Sequence, residues 1–301
     1  MSVIDISTPA SITRSSGLSG WMKRHPLVAY FGLAYGLTWM LVLPIVLSQR
    51  GLAFFTLPDP LLLVLFLGST FVGPLPAAFI MTSTVDGKAG RQQLWRRMLQ
   101  WKVGAGWYLL VLVGVPALYL VGMTFYLGIA PWQALVQNWR LIFTFYLPTA
   151  LYGIIFPGLG EEPGWRGFAL PRLQQQYGAL GGTLVLGVLH GLWHLPAYFI
   201  PGTILNGPFN WVQFVANTCG IIAATVIWTW VFNHTGGSVF FAMFVHGVDN
   251  ANSGLLPHLL ATNIDDPWFI AKVTVAAALL VVVFTRGRLG YHPADSPKNA
   301  A

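Results

Sequence analysis

The stretch LIFTFYLPTALYGIIFPGLGEEPGWRGFALPRL, residues 141–173, runs from a long apolar segment straight into two adjacent acids, Glu161 and Glu162, in a chain with only nine acidic residues. An apolar run of this length is long enough to cross a bilayer as a helix. Continued as one helix, it would carry both carboxyl groups below the membrane surface, where ionisable side chains are costly and by default mark a function or a partner.

The rest of the composition agrees with a membrane setting. The chain is 55% hydrophobic and 8% charged, against about 25% charged for ordinary soluble domains. About eight apolar runs are long enough to span, near residues 26–48, 60–82, 106–128, 143–170, 180–200, 211–232, 237–257 and 267–285. The fold expected is therefore all-α and polytopic, with one membrane-embedded domain over 26–285 between an N-terminal tail, 1–25, and a C-terminal tail, 286–301. Residues 1–25 lack the short apolar core and small-residue cleavage site of a signal peptide, so the first span is expected to stay attached as an anchor.

Lysine and arginine accumulate on the cytoplasmic side of short loops. With the N-terminus inside, thirteen of the sixteen fall on inner segments, leaving Arg50, Arg140 and Lys272 outside. Both termini are thus expected to be cytoplasmic, in a multi-pass protein of the cell membrane, here a bacterial cytoplasmic membrane. The net charge of +7 calls for no nucleic-acid partner, because the inner loops and their attraction to anionic lipid account for it. Cys219 is the one cysteine; it excludes an internal disulfide and is read as a small buried hydrophobe.

Three of the expected spans carry polar stripes. Glu162 and Arg166 stand four residues apart and can pair on one helix face, and the same spacing relates His190 to His194 and His246 to Asn250. At about 1.5 Å of rise per residue, Glu161 and His246 lie about 14 Å from the inner surface and His194 about 18 Å. Pro157, Gly158, Gly160, Pro163 and Gly164 should interrupt the helix around the acids. Freed backbone groups at that depth need protein or a water-filled cavity, so a hydrated pocket near mid-membrane is expected, opening toward the cytoplasm.

Carboxylates, imidazoles and a carboxamide, with no serine or cysteine nucleophile beside them, suit hydrolysis by an activated water. Imidazolium and Asn N–H groups can hold the oxyanion formed when water adds to a peptide carbonyl. No H-E-x-x-H zinc motif is present, and Gly17-Leu18-Ser19-Gly20, which has the G-x-S-G form of intramembrane serine proteases, falls before any span and is read as coincidence.

In this setting GEEPGWRGFALPRLQ, from Gly160, resembles the E-E-x-x-x-R motif of the CAAX protease and bacteriocin-processing (CPBP) family, which includes the type II CAAX prenyl endopeptidases and the bacterial Abi membrane proteins. LGVLHGLWHLP resembles the family's second motif and HGVDN its third, H-x-x-x-N, while GPLPAAFIMTSTVDGKAGRQQLWRRMLQWKV is similar to its segment between the second and third spans. The second motif usually has Phe or Trp four positions before its histidine; here that position holds His190 counted from His194, or Leu186 counted from His190. The context LWHLP, with Pro196 two residues on, resembles the family's setting at His194.

The resemblance implies an eight-helix intramembrane endopeptidase acting on a membrane-associated peptide or protein, lipidated or not, of CAAX or leader-peptide type. It implies that Glu161 activates water with His194 and that His246 and Asn250 stabilise the oxyanion, with Glu162, Arg166 and His190 shaping the site. No cofactor is preferred, since nothing in the spacing demands a metal; the alternative is a zinc ion on Glu161, His194 and His246 with an open position for water. Two other functions compete: a proton-coupled transporter using the Glu and His groups as a relay, and a non-catalytic membrane partner such as a bacteriocin-immunity protein.

Overall fold

A computed structural model describes residues 17–203, 208–260 and 266–292. The expected tails fall largely on residues 1–16 and 293–301, outside that range. Every named element is a helix, and the one β-bridge among the described residues joins Ser48 to Phe55.

Four helical runs are long and apolar enough to cross a membrane: Pro26–Leu47, Ala105–Leu127, Ile142–Phe199 and Trp211–His234. A fifth candidate is the pair Asp59–Phe71 and Pro74–Val85, bent by 41° at its break. The helices expected as the last two spans are also formed. Val239–Leu260 carries His246, Asp249 and Asn250, which lower its hydropathy, and Phe269–Thr285 has only 17 residues. The expected fourth and fifth spans run together as the single 58-residue stretch Ile142–Phe199, whose direction changes at Gly178, φ 76° and ψ 174°. That conformation is open to glycine and strained for other residues. Large apolar side chains such as Val64, Leu109, Phe125, Val212 and Phe284 point outward, as a lipid-facing surface requires.

The expected interruption around the acids takes a different form. The 142–169 stretch stays helical but widens into π turns at Ile142–Tyr146, Ile154–Gly158 and Pro163–Ala169, with Glu161 and Glu162 in a short α segment, Leu159–Glu162, between the last two. Pro157, Pro163 and Pro171 lack an N–H, and a wider turn relieves the clash that a proline ring makes with the preceding turn of an α-helix.

Small residues bring the site-bearing helices together. A Cβ on Gly153 would lie 2.7 Å from the Cα of Gly247, and one on Gly247 would lie 2.5 Å from the carbonyl oxygen of Ala150. The Glu-bearing and His246-bearing helices therefore touch backbone to backbone. On the other flank, Trp39 donates its indole N–H to the Trp193 carbonyl at 3.0 Å, and Tyr35 donates its hydroxyl to the Leu189 carbonyl, tying the first long helix to the segment that carries His190 and His194.

Gly247→Ala should lower the thermal unfolding midpoint of the detergent-solubilised protein, since over-packing costs about 1–3 kcal/mol. Gly36→Ala, whose added Cβ meets nothing within 4 Å, should leave the midpoint unchanged or raise it.

Candidate active site

The polar stripes converge as two linked groups. In the first, the Glu161 carboxylate oxygen Oε2 lies 2.9 Å from His190 Nε2 and accepts the Trp165 indole N–H at 3.3 Å. His194 Nδ1 lies 2.9 Å from the His190 carbonyl, so it carries the proton and leaves Nε2 as the ring's lone-pair nitrogen in neutral imidazole. The His190 and His194 rings are 5.1 Å apart.

In the second group, Arg166 Nη1 donates to both oxygens of Glu162, at 3.0 and 3.1 Å, and His246 Nδ1 donates to Glu162 Oε1 at 2.8 Å. The Glu162 and Arg166 side chains have no exposed surface. Arg166 also lies 4.8 Å from the centre of the Trp228 ring and reaches Thr225 Oγ1 at 3.4 Å. With Nδ1 engaged, His246 has Nε2 remaining, and its ring lines a cavity of about 420 Å³ together with His190, His194, Asp249 and Asn250.

The i,i+4 pairing of Glu162 with Arg166 and the shared face of His246 and Asn250 thus appear as read from the spacing. Two details differ. It is His190, read from the sequence only as shaping the site, that bonds to Glu161, while Glu162 is enclosed by Arg166 and His246. The donors that gather are Glu161, His190 and His194, whose ligand atoms all lie within 4.8 Å of one another, whereas His246 is held outside that group by its bond to Glu162. Two imidazoles and a carboxylate form a donor set that catalytic zinc sites use, and the buried His190 Nδ1 has no hydrogen-bond partner. These residues therefore fit a zinc ion by chemistry.

From the sequence this pocket is expected to open toward the cytoplasm. Its wall includes Tyr198, Gln213, Asn217, Ser253 and Ile270, near the ends of helices that face away from the lysine- and arginine-rich loops.

Arg97 has a role that sequence reading missed, since its charge was accounted for by loop topology alone. It donates through Nε to the Gly237 carbonyl at 2.8 Å, through Nη1 to Gly167 at 3.1 Å and through Nη2 to Arg166 at 3.2 Å. The Gly167 and Arg166 carbonyls would normally accept from residue 171 in an α or a π turn, and residue 171 is proline. Arg97 thus replaces the missing N–H and ties the Glu-bearing turn to the loop that starts the His246 helix. Tyr119, which donates to Asp249 Oδ1 at 3.0 Å, and Trp228 were also missed, because each is one of several aromatics on an apolar helix and nothing in the spacing sets it apart.

Residues 143–252 match the family described as type II CAAX prenyl endopeptidase Rce1-like. The chain is also 28% identical, over 131 residues, to CAAX prenyl protease 2 of Methanococcus maripaludis; the alignment covers 43% of this chain and 48% of that protein. The chain thus spans about half the length of this curated relative. The matched segment contains every residue from Glu161 to Asn250, and over that part of the chain it is similar to the CAAX proteases.

Arg166→Met should greatly reduce the yield of folded protein, since removing one partner of a buried ion pair costs about 3–5 kcal/mol. Arg97→Ala should lower the unfolding midpoint by a smaller amount, through orphaned carbonyls worth about 1–3 kcal/mol each. Thermal unfolding in detergent measures both.

Proposed function

We propose that the protein is an intramembrane endopeptidase that hydrolyses a peptide bond of a membrane-associated peptide or protein, using a water activated by Glu161 and His194. The observation that carries this reading is the Glu161 carboxylate, whose Oε2 is held by Trp165 and His190 while His194 stands within 4.8 Å. Oε1 is then the oxygen left to draw a proton from water. His194, its Nδ1 committed to its own helix, offers Nε2 to the same water.

Across the cavity His246 and Asn250 supply the electrophilic side. Asn250 can donate its carboxamide N–H, and His246, when doubly protonated, can donate Nε2–H while Nδ1–H stays on Glu162. Glu162 and Arg166 neutralise each other and orient His246. The proton taken from water is then available to the amine that leaves, which completes peptide hydrolysis. A zinc ion held by Glu161, His190 and His194 would supply Lewis-acid activation of the water.

Comparing protein termini in membranes from cells carrying the native chain and cells carrying Glu161→Gln tests the activity. Termini should be present only with the native chain, and their absence would favour a transporter or an immunity-type partner. In purified protein, His194→Ala should lower cleavage by at least about 10²-fold, as loss of a general acid–base group does. His190→Phe should cost less, and the opposite order would exchange the roles of the two histidines. Bound zinc that disappears together with activity in His194→Ala, and activity lost to a chelator, would select the metal-assisted form.

A further inference from the structure

The two ends of the helix bundle differ sharply in charge. At one end the 86–104 segment packs on the 234–238 turn through Arg97 to Gly237, Gln100 to Thr235 and Ser238 to Gln100, and on residue 172 through the Arg172–Asp86 ion pair. Asn233 draws in the 286–292 segment by its bond to the Leu289 carbonyl. Lys88, Arg91, Arg96, Arg97, Lys102, Arg172, Arg286 and Arg288 are therefore gathered at this end.

The opposite end holds Arg50, Arg140 and Lys272. Two of these are matched by carboxylates, Arg50 by Asp59 at 3.0 Å and Lys272 by Asp266 at 2.8 Å.

The site cavity belongs to the second end. His190 and His194 lie at the close of Leu170–Trp193, Gln213 and Asn217 in the opening turns of Trp211–His234, Ser253 in the later half of Val239–Leu260, and Ile270 at the start of Phe269–Thr285. All four helices point these residues toward the same, weakly charged end. Toward the basic end the site is closed by Arg166, Phe168 and Leu170, all fully buried, and by the Arg97 bonds beneath them.

Membrane insertion places the lysine- and arginine-rich end in the cytoplasm. Resting on the endopeptidase reading above, we infer that the cavity opens to the extracytoplasmic face, and that the substrate is an extracytoplasmic, membrane-proximal segment of a polypeptide. A lipidated C-terminus presented from the cytosol would meet the closed end. The polar wall of Gln213, Asn217, Asp249 and Ser253 suits the backbone of an extended peptide, whose N–H and C=O groups need partners once they leave water.

Two measurements test the inference. In a Cys219→Ser background, a membrane-impermeant maleimide should label Ser253→Cys from the outside of intact cells. The same reagent should label Gln92→Cys, an exposed site at the basic end, only in inside-out vesicles. The reverse pattern would overturn the inference whether or not the protein is a protease. Among termini that depend on Glu161, cleavage sites should map to extracytoplasmic segments of membrane or exported proteins, and sites in cytosolic segments would overturn the inference while leaving the endopeptidase reading intact. Correct labelling without any Glu161-dependent terminus would overturn the endopeptidase reading, and with it the assignment of a substrate.

Discussion

The Glu162–Arg166 ion pair, fully buried with His246 on its third side, is the interaction on which the site depends. Two charges taken out of water are tolerated only when their geometry and remaining hydrogen bonds are good. Here the pair spans one turn of the Glu-bearing helix, and its free acceptor capacity is used by a histidine from a helix more than 80 residues away in sequence. That bond sets the rotation of the Val239–Leu260 helix, and so brings Asn250 to the cavity. Neutralising Glu162 also leaves Glu161 as the carboxylate to which His190 and His194 are presented.

This arrangement requires close helix contact, and close contact requires a backbone without side chains between. Gly153 and Gly247 meet at a separation that a Cβ would forbid. The same stretch is rich in proline and widens into π turns, which moves carbonyls out of the usual helical ladder. Arg97, in the last turn of the Gly87–Met98 helix at the basic end, fills the acceptors that Pro171 leaves unpaired. The buried acids, the helix irregularity and Arg97 are thus one connected solution: the irregular turn places Glu161 and Glu162 together at the helix interface, and Arg97 makes that turn tolerable in a low-dielectric surrounding.

The charge asymmetry has a separate origin, in membrane insertion, yet it bears on the same site. Because the histidine-bearing segment ends, and the helix after it begins, at the weakly charged end, the cavity inherits that side. Under the proposed function, this topological feature decides from which side a peptide reaches Glu161 and His194.

Much of this was legible in the sequence. Apolar runs announce membrane helices, since nothing else supplies so many apolar residues in a row, and the i,i+4 spacings of Glu162 with Arg166 and His246 with Asn250 follow from helical geometry alone. Spacing within one helix says nothing about rotation against another, however, and the partners across helices were decided only by packing: His190 rather than His194 on Glu161, His246 on Glu162, Tyr119 on Asp249. The role of Arg97 was invisible for the same reason, because a cation between two spans is read as a topology signal until the carbonyls it serves are placed beside it. The direction of the cavity, too, depends on which ends of four helices lie together. Local periodicity determined the elements and their polar faces; contacts between residues distant in sequence decided which polar groups share protons and from which side they are reached.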